Sequence, residues 1–579
     1  MVTKAKAKVK NQILKRKTNK KASVHKKSEN NKNTKSQVRR MKPQKVDAKI
    51  WAKEFDVKIK EKDFDAALTM VNEVRGIKRW QRLNLLSSVA AHQDKMKECE
   101  DYMRQSVRES DCSSGVKRNL SALLVSQGRM AEALPFAQTA WKESPKDLKA
   151  LQLYLNCLLD LGQGEHVLKV CKDPKNQFPH DKSVMIAYAS ALRSTSKPED
   201  AEKEIDRLLD IFPEEPVVHR LKADLLGDID SHRAIKYYDS ALKLSEKIQG
   251  EKDPAVQWNM SLHLLRTRDF ERGWPAWEQG FHKVVGTMGR NLPARIKSLP
   301  RIEKVKKIDK NKWTLVCAEQ GIGDQVLFLT VMEDFIKDHG KVLYVCEPRM
   351  HPIMERSYEN LELACPGITF DWHRTSLPKN GYIPLGSLPG KYIKSTEDFI
   401  KYRKPFLKAN GALYKKYREY FKKQANGKPV IGISWKGGYW AIQRKTKALL
   451  LENWKAIFEK DALFVNLQYG DIKEDLEYLR KNKLNLINFP KVNYKTDLDD
   501  WVAITAACDG IISISTALVH FAGAIGQKVA LIMPEKQGPW ILGLSDTQSI
   551  AYKNVRIFRR EKGEELSDLI KRVASLIIT

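Results

Sequence analysis

The spacing of apolar residues changes character near Pro300. Beyond that point, short apolar runs alternate with longer mixed segments. The runs are WTLVC (313–317), KVLYVC (341–346), GITFDW (367–372), VIGISW (430–435), ALFVNLQ (462–468), GIISIS (510–515) and KVALIMP (528–534). Runs of this kind, separated by helical segments, predict parallel sheets covered by helices on both faces. A basic, polar stretch, KKYREYFKKQANGKP (415–429), divides this half near its middle. Two small Rossmann-type sheets facing each other across a cleft fit the layout.

Before Pro300 the pattern is helical and repeats. Pro145, Pro179 and Pro213 end three similar segments and are spaced 34 and 34 apart; Gly128 and Gly162 are also 34 apart. Each unit predicts a helix, a tight turn and a second helix. A small or slim residue recurs where the paired helices touch: Ala67, Cys99, Ala133, Val167, Ala201 and Ala234. Over about residues 50–245 this resembles the tetratricopeptide repeat in its period and in its small, Gly and Pro positions. A further helical pair over 259–281 is expected to end the array. Repeats of this kind present an extended concave surface, so a protein partner or protein substrate is expected there. The plainer alternative is a spacer or an oligomerisation surface.

Length and charge refine the division. At 579 residues the chain is too long for one core. We expect a disordered basic tail (1–45), helical repeats (46–285), a first Rossmann-like lobe (300–425) and a second (426–579). The fold class is therefore an all-α superhelix followed by an α/β pair of lobes. The net charge is +32, and residues 1–45 hold 17 Lys and Arg against the single acid Glu29. Such a segment buries too little apolar surface to offset its ordering entropy. It suits an anionic membrane surface, nucleic acid, an acidic partner or a merely solubilising role. It lacks the apolar core of a secretory signal and the Arg/Ser pattern of a transit peptide. The eight cysteines are scattered without a CxxC pair or metal-ligand spacing, which suits free thiols in a reducing cytosol. The longest apolar stretch, 510–533, is interrupted by Ser513, Ser515, Thr516, His520 and Lys528, and makes a poor membrane span.

Ligands of open parallel sheets bind where strands end and helices begin. Three such junctions carry telling residues. In CAEQGIGDQVLF (317–328), Gly321 and Gly323 allow a sharp turn and close backbone approach to a ligand. Asp324 follows at the positive pole of a helix. It either caps that helix or takes a proton from an acceptor nucleophile. In ISWKGGYWAIQRKTK (433–447), Lys436, Gly437 and Gly438 end a strand, and Arg444, Lys445 and Lys447 follow. A glycine turn with cations suits a diphosphate, or forms a basic surface loop. In GIISISTALVHFAGAIG (510–526), Ser515 and Thr516 are good N-cap residues, and His520 lies one turn further on the same face. Ala522, Gly523 and Ala524 predict close helix–sheet packing.

Together, EQGIGD, GISWKGG, NLQYGD, the STALVHFAGAIG segment and VRIFRR resemble glycosyltransferase family 9, the heptosyltransferase-like enzymes of GT-B fold. The chain as a whole looks like bacterial proteins that join tetratricopeptide repeats to such a domain. The resemblance implies a nucleotide-diphosphate sugar as substrate, no resident cofactor, no metal, and inversion at the anomeric carbon. It implies Asp324 as catalytic base. It places Lys436, with Arg444 or Lys447, and Thr516 with His520 against the donor diphosphate. Ser515, Thr516 and Ala517 stand where the family often has Asp-Thr-Gly, and the first lobe is short. The acceptor is expected to be a protein or a glycan, and the compartment the cytoplasm or its membrane face. The rival expectation is a non-enzymatic scaffold with a degenerate nucleotide-binding fold. A nicotinamide enzyme is excluded, since no GxGxxG follows any strand.

Overall fold

A computed structural model describes residues 48–577 apart from 174–176, 196, 228, 283–289, 291, 293–295, 297, 366–378, 438–450, 534–537 and 562. The chain forms two compact units, one ending at Cys112 and one beginning at Ser113. In the first unit, helices Ala48–Lys60, Phe64–Glu73, Arg79–His92 and Met96–Ser106 follow one another. Phe55, Ala67, Val71 and Val89 form its core.

The second unit opens with five helix pairs, from Ser114–Ser126 with Met130–Glu143 to Pro254–Arg266 with Phe270–Glu278. Aspartates start many of these helices. Asp147, Asp181, Asp230, Asp253 and Asp269 each accept a hydrogen bond from a backbone N–H of the first turn. A cap of this kind stabilises a helix by about 1 kcal/mol. The turn inside a pair needs one residue in the left-handed region. Gly128 (φ 74°) and Gly162 (φ 70°) take it, as the glycine spacing predicts. Lys62, Asp94 and Arg268 take the same conformation at φ 60°, 60° and 69°, where no glycine marks the turn. The six small residues singled out by the repeat are all buried. Pro145, Pro179 and Pro213 lie in the turns that join successive pairs. The chain thus carries helix-pair repeats of the tetratricopeptide kind.

Two sheets follow, parallel throughout. The first has strands β1 (Trp313–Cys317), β2 (Val342–Val345), β3 (Leu361–Ala364) and β4 (Lys379–Pro384), in the order β3-β2-β1-β4. The second has β5 (Val430–Ser434), β6 (Leu463–Asn466), β7 (Gly510–Ile514), β8 (Val529–Met533) and β9 (Val555–Arg559), in the order β6-β5-β7-β8-β9. Strands β3 and β4 are absent from the expected set, and GITFDW lies outside the described residues. LELA is too short to stand out. KNGYIP contains Asn-Gly, which reads as a turn. In the fold Gly381 is needed for space, since a Cβ there would meet the Pro300 carbonyl oxygen at 2.3 Å. The basic stretch at 415–429 is not a divider. Its first part belongs to helix Gly411–Ala425, which buries Tyr417 and Phe421 and packs on helix Leu498–Ala507 beside the second sheet. No helix of the described residues is long and apolar enough to cross a membrane.

The last helix pair does more than end the array. Trp258, Leu265, Phe270, Trp274 and Trp277 join the same hydrophobic core as both sheets. Trp274 Nε1 donates to the Ile393 carbonyl at 2.8 Å, and Trp277 Nε1 to that of Gly386 at 3.0 Å. On the other side, Arg266 donates to the Gly538 carbonyl at 2.9 Å and Arg268 pairs with Asp546.

Arg290 is fully buried beside this pair. It forks onto Glu319 at 2.6 and 3.2 Å, reaches Glu278 at 2.9 Å and Ser387 at 2.9 Å, and stacks over Phe281 and Trp277. Burial works to raise the Glu278 carboxyl, but Arg290 and Arg301 outweigh it and hold the group below its ordinary value. Removing one member of a buried ion pair leaves its partner uncompensated. Glu319→Gln is therefore expected to cost about 3 kcal/mol, the low end of that range because Glu278 still faces Arg290. Urea unfolding followed by tryptophan fluorescence checks this; a loss under about 0.5 kcal/mol would show the pair to be energetically idle.

Candidate functional site

Each sheet reverses its winding direction once. In the first, β2 and β3 lie on one side of β1 and β4 on the other; in the second, β6 lies on one side of β5 and β7 on the other. Crevices form outside the carboxyl ends of the strands at such switch points. The residues after β1 are Ala318 to Asp324. Those after β5 and β7 are Trp435 to Gly437 and Ser515 to His520. The two neighbourhoods meet, because helix Ile322–Phe328, after β1, packs against helix Ala517–Ala524, after β7.

The first turn uses its glycines differently from the expectation. Gln320, not a glycine, occupies the left-handed region at φ 67°. Gly321 is extended, with φ −66° and ψ 155°, and serves as N-cap. A Cβ on Gly321 would touch only Asp324 Oδ2, at 3.3 Å. A Cβ on Gly323 would meet His520 Cδ2 at 3.1 Å and Ala517 Cα at 3.2 Å. Gly323 therefore lets two helices approach each other rather than a ligand.

Asp324 is the third residue of its helix, and backbone N–H groups of Gly321 and of Asp324 itself stabilise its charge. The capping role is real. It does not dominate. Solvent reaches Asp324, yet the protein around it is dense. Burial first, and the nearby Glu319 charge second, push its carboxyl up to about 6. Glu319 is a site residue that pattern reading passes over. Its Oε1 accepts the Gly386 N–H at 2.9 Å while Arg290 holds both oxygens. Its position in EQGIGD, an acid directly behind a buried strand, was the available signal; its partner Arg290 sits where the sequence has no pattern.

In the second lobe, Gln468 organises the end of β5. Its Oε1 accepts from Ser434 Oγ at 3.0 Å, Trp435 N at 2.9 Å and Lys436 N at 2.7 Å. Lys436 is ion-paired with Asp475, which also accepts from Trp435 Nε1 at 3.2 Å. The expected free cation is thus already partnered. Gly437 is half-buried beside it. Gly438, Arg444, Lys445 and Lys447 lie outside the described residues.

Thr516 is the N-cap of helix Ala517–Ala524, but its side chain makes no capping bond. The residue is 8% exposed, and its Oγ1 has no hydrogen-bond partner. An unpaired buried hydroxyl at a helix N-terminus is costly unless a ligand completes it. Ser515, half-buried, precedes it. His520 Nδ1 lies 3.1 Å from the Tyr552 hydroxyl, and burial lowers the imidazole to about 4. At neutral pH it is uncharged, so it can meet an anion only as a neutral hydrogen-bond donor. Gly523 packs under Tyr552, where a Cβ would come within 2.4 Å of the ring. Among the described residues no group of three or more His, Cys, Asp or Glu could hold a metal ion.

Comparison with known proteins adds a partial frame. No family model matches the chain. It is 24% identical over 395 residues to Protein FlbA of Caulobacter vibrioides, covering 59% of this chain and 64% of that protein. The chain thus spans less than two thirds of that relative's length. Among solved structures it is similar to a tetratricopeptide repeat protein from Parabacteroides merdae, with 16% identity, 41% of this chain and 94% of that one covered, and a TM-score of 0.33. It is also similar to a thermophilic tetratricopeptide protein of Thermus thermophilus, with 16% identity, 32% and 99% covered, and a TM-score of 0.26.

The helix contact makes a prediction. Gly323→Val overpacks the junction against Ala517 and His520 and is expected to lower stability by about 1–3 kcal/mol. Gly321→Ala, with room for its methyl, is expected to stay within about 0.5 kcal/mol. Chemical denaturation of both variants separates the two; equal effects would show that Gly323 is not a packing residue.

Proposed function

We propose that the chain is a glycosyltransferase that moves a sugar from a nucleotide-diphosphate donor to a protein or glycan acceptor. The observation that carries this reading is Asp324, a solvent-reached carboxylate raised to about 6, facing a helix N-terminus whose Thr516 hydroxyl is unsatisfied. The donor diphosphate would lie at that N-terminus, with Lys436 and the Gly437 turn beside it. Asp324 would accept the proton of the acceptor nucleophile as its oxygen or nitrogen bonds to the anomeric carbon. The bond from that carbon to the diphosphate oxygen breaks, and the nucleoside diphosphate leaves with its electron pair. Attack opposite the leaving group inverts the anomeric centre. The helix-pair repeats would recruit the acceptor or a protein partner, and the basic tail an anionic surface. The resemblance to family 9 and the two facing switch points support the same reading.

A second reading, a non-enzymatic scaffold, is favoured by the internal partners of Lys436 and His520 and by the Ala517 methyl packed at the helix junction. Nucleoside diphosphate release from a panel of nucleotide sugars, with thermal shift on the same panel, separates the two. No release and no shift would leave the scaffold.

The base assignment fixes a pH profile. Turnover is expected to fall on the acid side with a midpoint near 6, as Asp324 takes up its proton. Asp324→Asn should lower turnover by about 10²–10⁴-fold. The folded-state value lies above the ordinary carboxylate value near 3.9. Ionisation therefore costs stability as pH rises from about 4 through about 6. At pH 7 Asp324→Asn should accordingly melt no lower than the parent, and by no more than about 1 kcal/mol more stably, since solvent screens the group. Undiminished turnover in Asp324→Asn would overturn the assignment.

A further inference from the structure

The chain crosses from the first sheet to the second between helix Thr396–Lys401 and helix Gly411–Ala425. On the way it is pinned to the far end of helix Ala517–Ala524: Phe406 N and Leu407 N both donate to the Ala524 carbonyl, at 2.9 and 3.1 Å. Beside this crossing lies an open cavity of about 520 Å³. Nine residues line it, of which four are cationic (Lys401, Arg403, Lys404 and Lys553) and none acidic. Lys401 pairs with Asp398 at 2.9 Å and Lys404 with Glu333 at 3.3 Å. Arg403 and Lys553 have no acid within 4.0 Å among the described residues. The Nε of Arg403 is buried without a hydrogen-bond partner. Gly526, in the left-handed region at φ 81°, brings the backbone against Pro405 at the cavity wall.

An enclosing set of cations without counter-charge is a site waiting for an anion. A buried guanidinium N–H left unpaired is costly, and a planar fork of donors suits phosphate oxygens. The cavity is not the Asp324–Thr516 site. Gly523 and Gly526 mark the opposite end of an eight-residue helix, on the order of 12 Å from Thr516 at 1.5 Å per residue. We propose that this cavity binds a phosphate-bearing anion at the crossing between the two lobes. Arg403 and Lys553 make the direct contacts, and the bound group ties the crossing segment to the second sheet. The proposal stands whether or not the chain transfers sugars.

Inorganic pyrophosphate is the probe, titrated calorimetrically into the full chain at about 0.15 M salt to suppress diffuse attraction. Arg403→Gln with Lys553→Gln is expected to weaken binding by about tenfold or more, the consequence of losing one charge-assisted hydrogen bond. Lys553→Gln alone, at an exposed position, should weaken it in the same direction without risk to folding. Lys415→Gln with Lys416→Gln, which removes equal charge from the exposed face of another helix, should change nothing. Lys436→Ala with Thr516→Val should keep the cavity's binding. The proposal is overturned if the Arg403 and Lys553 changes leave affinity untouched, or if the Lys415 and Lys416 changes weaken it equally. It is also overturned if binding disappears only in the Lys436 and Thr516 variant. Vesicles of phosphatidic acid in phosphatidylcholine decide the source. Vesicle binding lost with Arg403 and Lys553 supports the site with a lipid headgroup as ligand; unaltered vesicle binding beside lost pyrophosphate affinity supports it with a soluble one.

Discussion

A single buried guanidinium organises the molecule. Arg290 has no route to water, and an isolated charge in its place would cost several kcal/mol. It is tolerated because every face is met: Glu319 by a fork, Glu278 and Ser387 by single bonds, Phe281 and Trp277 by their rings. These partners come from three different parts of the chain. Glu278 ends the last repeat helix, Glu319 follows β1, and Ser387 follows β4. The pair therefore fixes the repeats, the first sheet and its switch point in one arrangement. The same Glu319 charge is held close enough to Asp324 to help raise its carboxyl. A contact that looks purely architectural thus sets the electrostatics of the site.

Much of this was legible in the sequence, and the reasons for the rest are specific. The helix pairs were readable because a 34-residue period places small residues at each internal contact. The strands β1, β2 and β5 to β8 were readable because a strand buried on both faces is a continuous apolar run. β4 was not, because its Asn-Gly carries the mark of a turn while the fold uses Gly381 for close approach to Pro300. Turn positions show the same limit. Gly128 and Gly162 announce the left-handed residue, but Lys62, Asp94 and Arg268 adopt it because the packed helices on either side demand it.

The site divides in the same way. A glycine can be read from sequence, but the neighbour it makes room for cannot. Gly321 and Gly323 are two residues apart and chemically identical, yet one faces its own aspartate and the other faces a different lobe. Charge follows the same rule. Lys436 is a cation after a strand in any reading, and only the fold shows Asp475 beneath it. Glu319 and Arg290 are 29 residues apart, with nothing in either neighbourhood to declare the pair.

The internal partners of Lys436 and His520 do not by themselves decide between an enzyme and a scaffold. Asp475 is held by Trp435 Nε1 as well as by Lys436, so it keeps a donor if the lysine turns away. The Lys436 side chain is 34% exposed, which places the pair where solvent weakens it and a diphosphate can compete. Thr516 argues in the other direction. Its hydroxyl is buried, unpaired and set on the cap position of a helix whose first-turn N–H groups point the same way. A pairing that can be exchanged at small cost sits next to a donor that has nothing to exchange. That asymmetry is what an anion site between the two switch points requires, and a scaffold has no use for it.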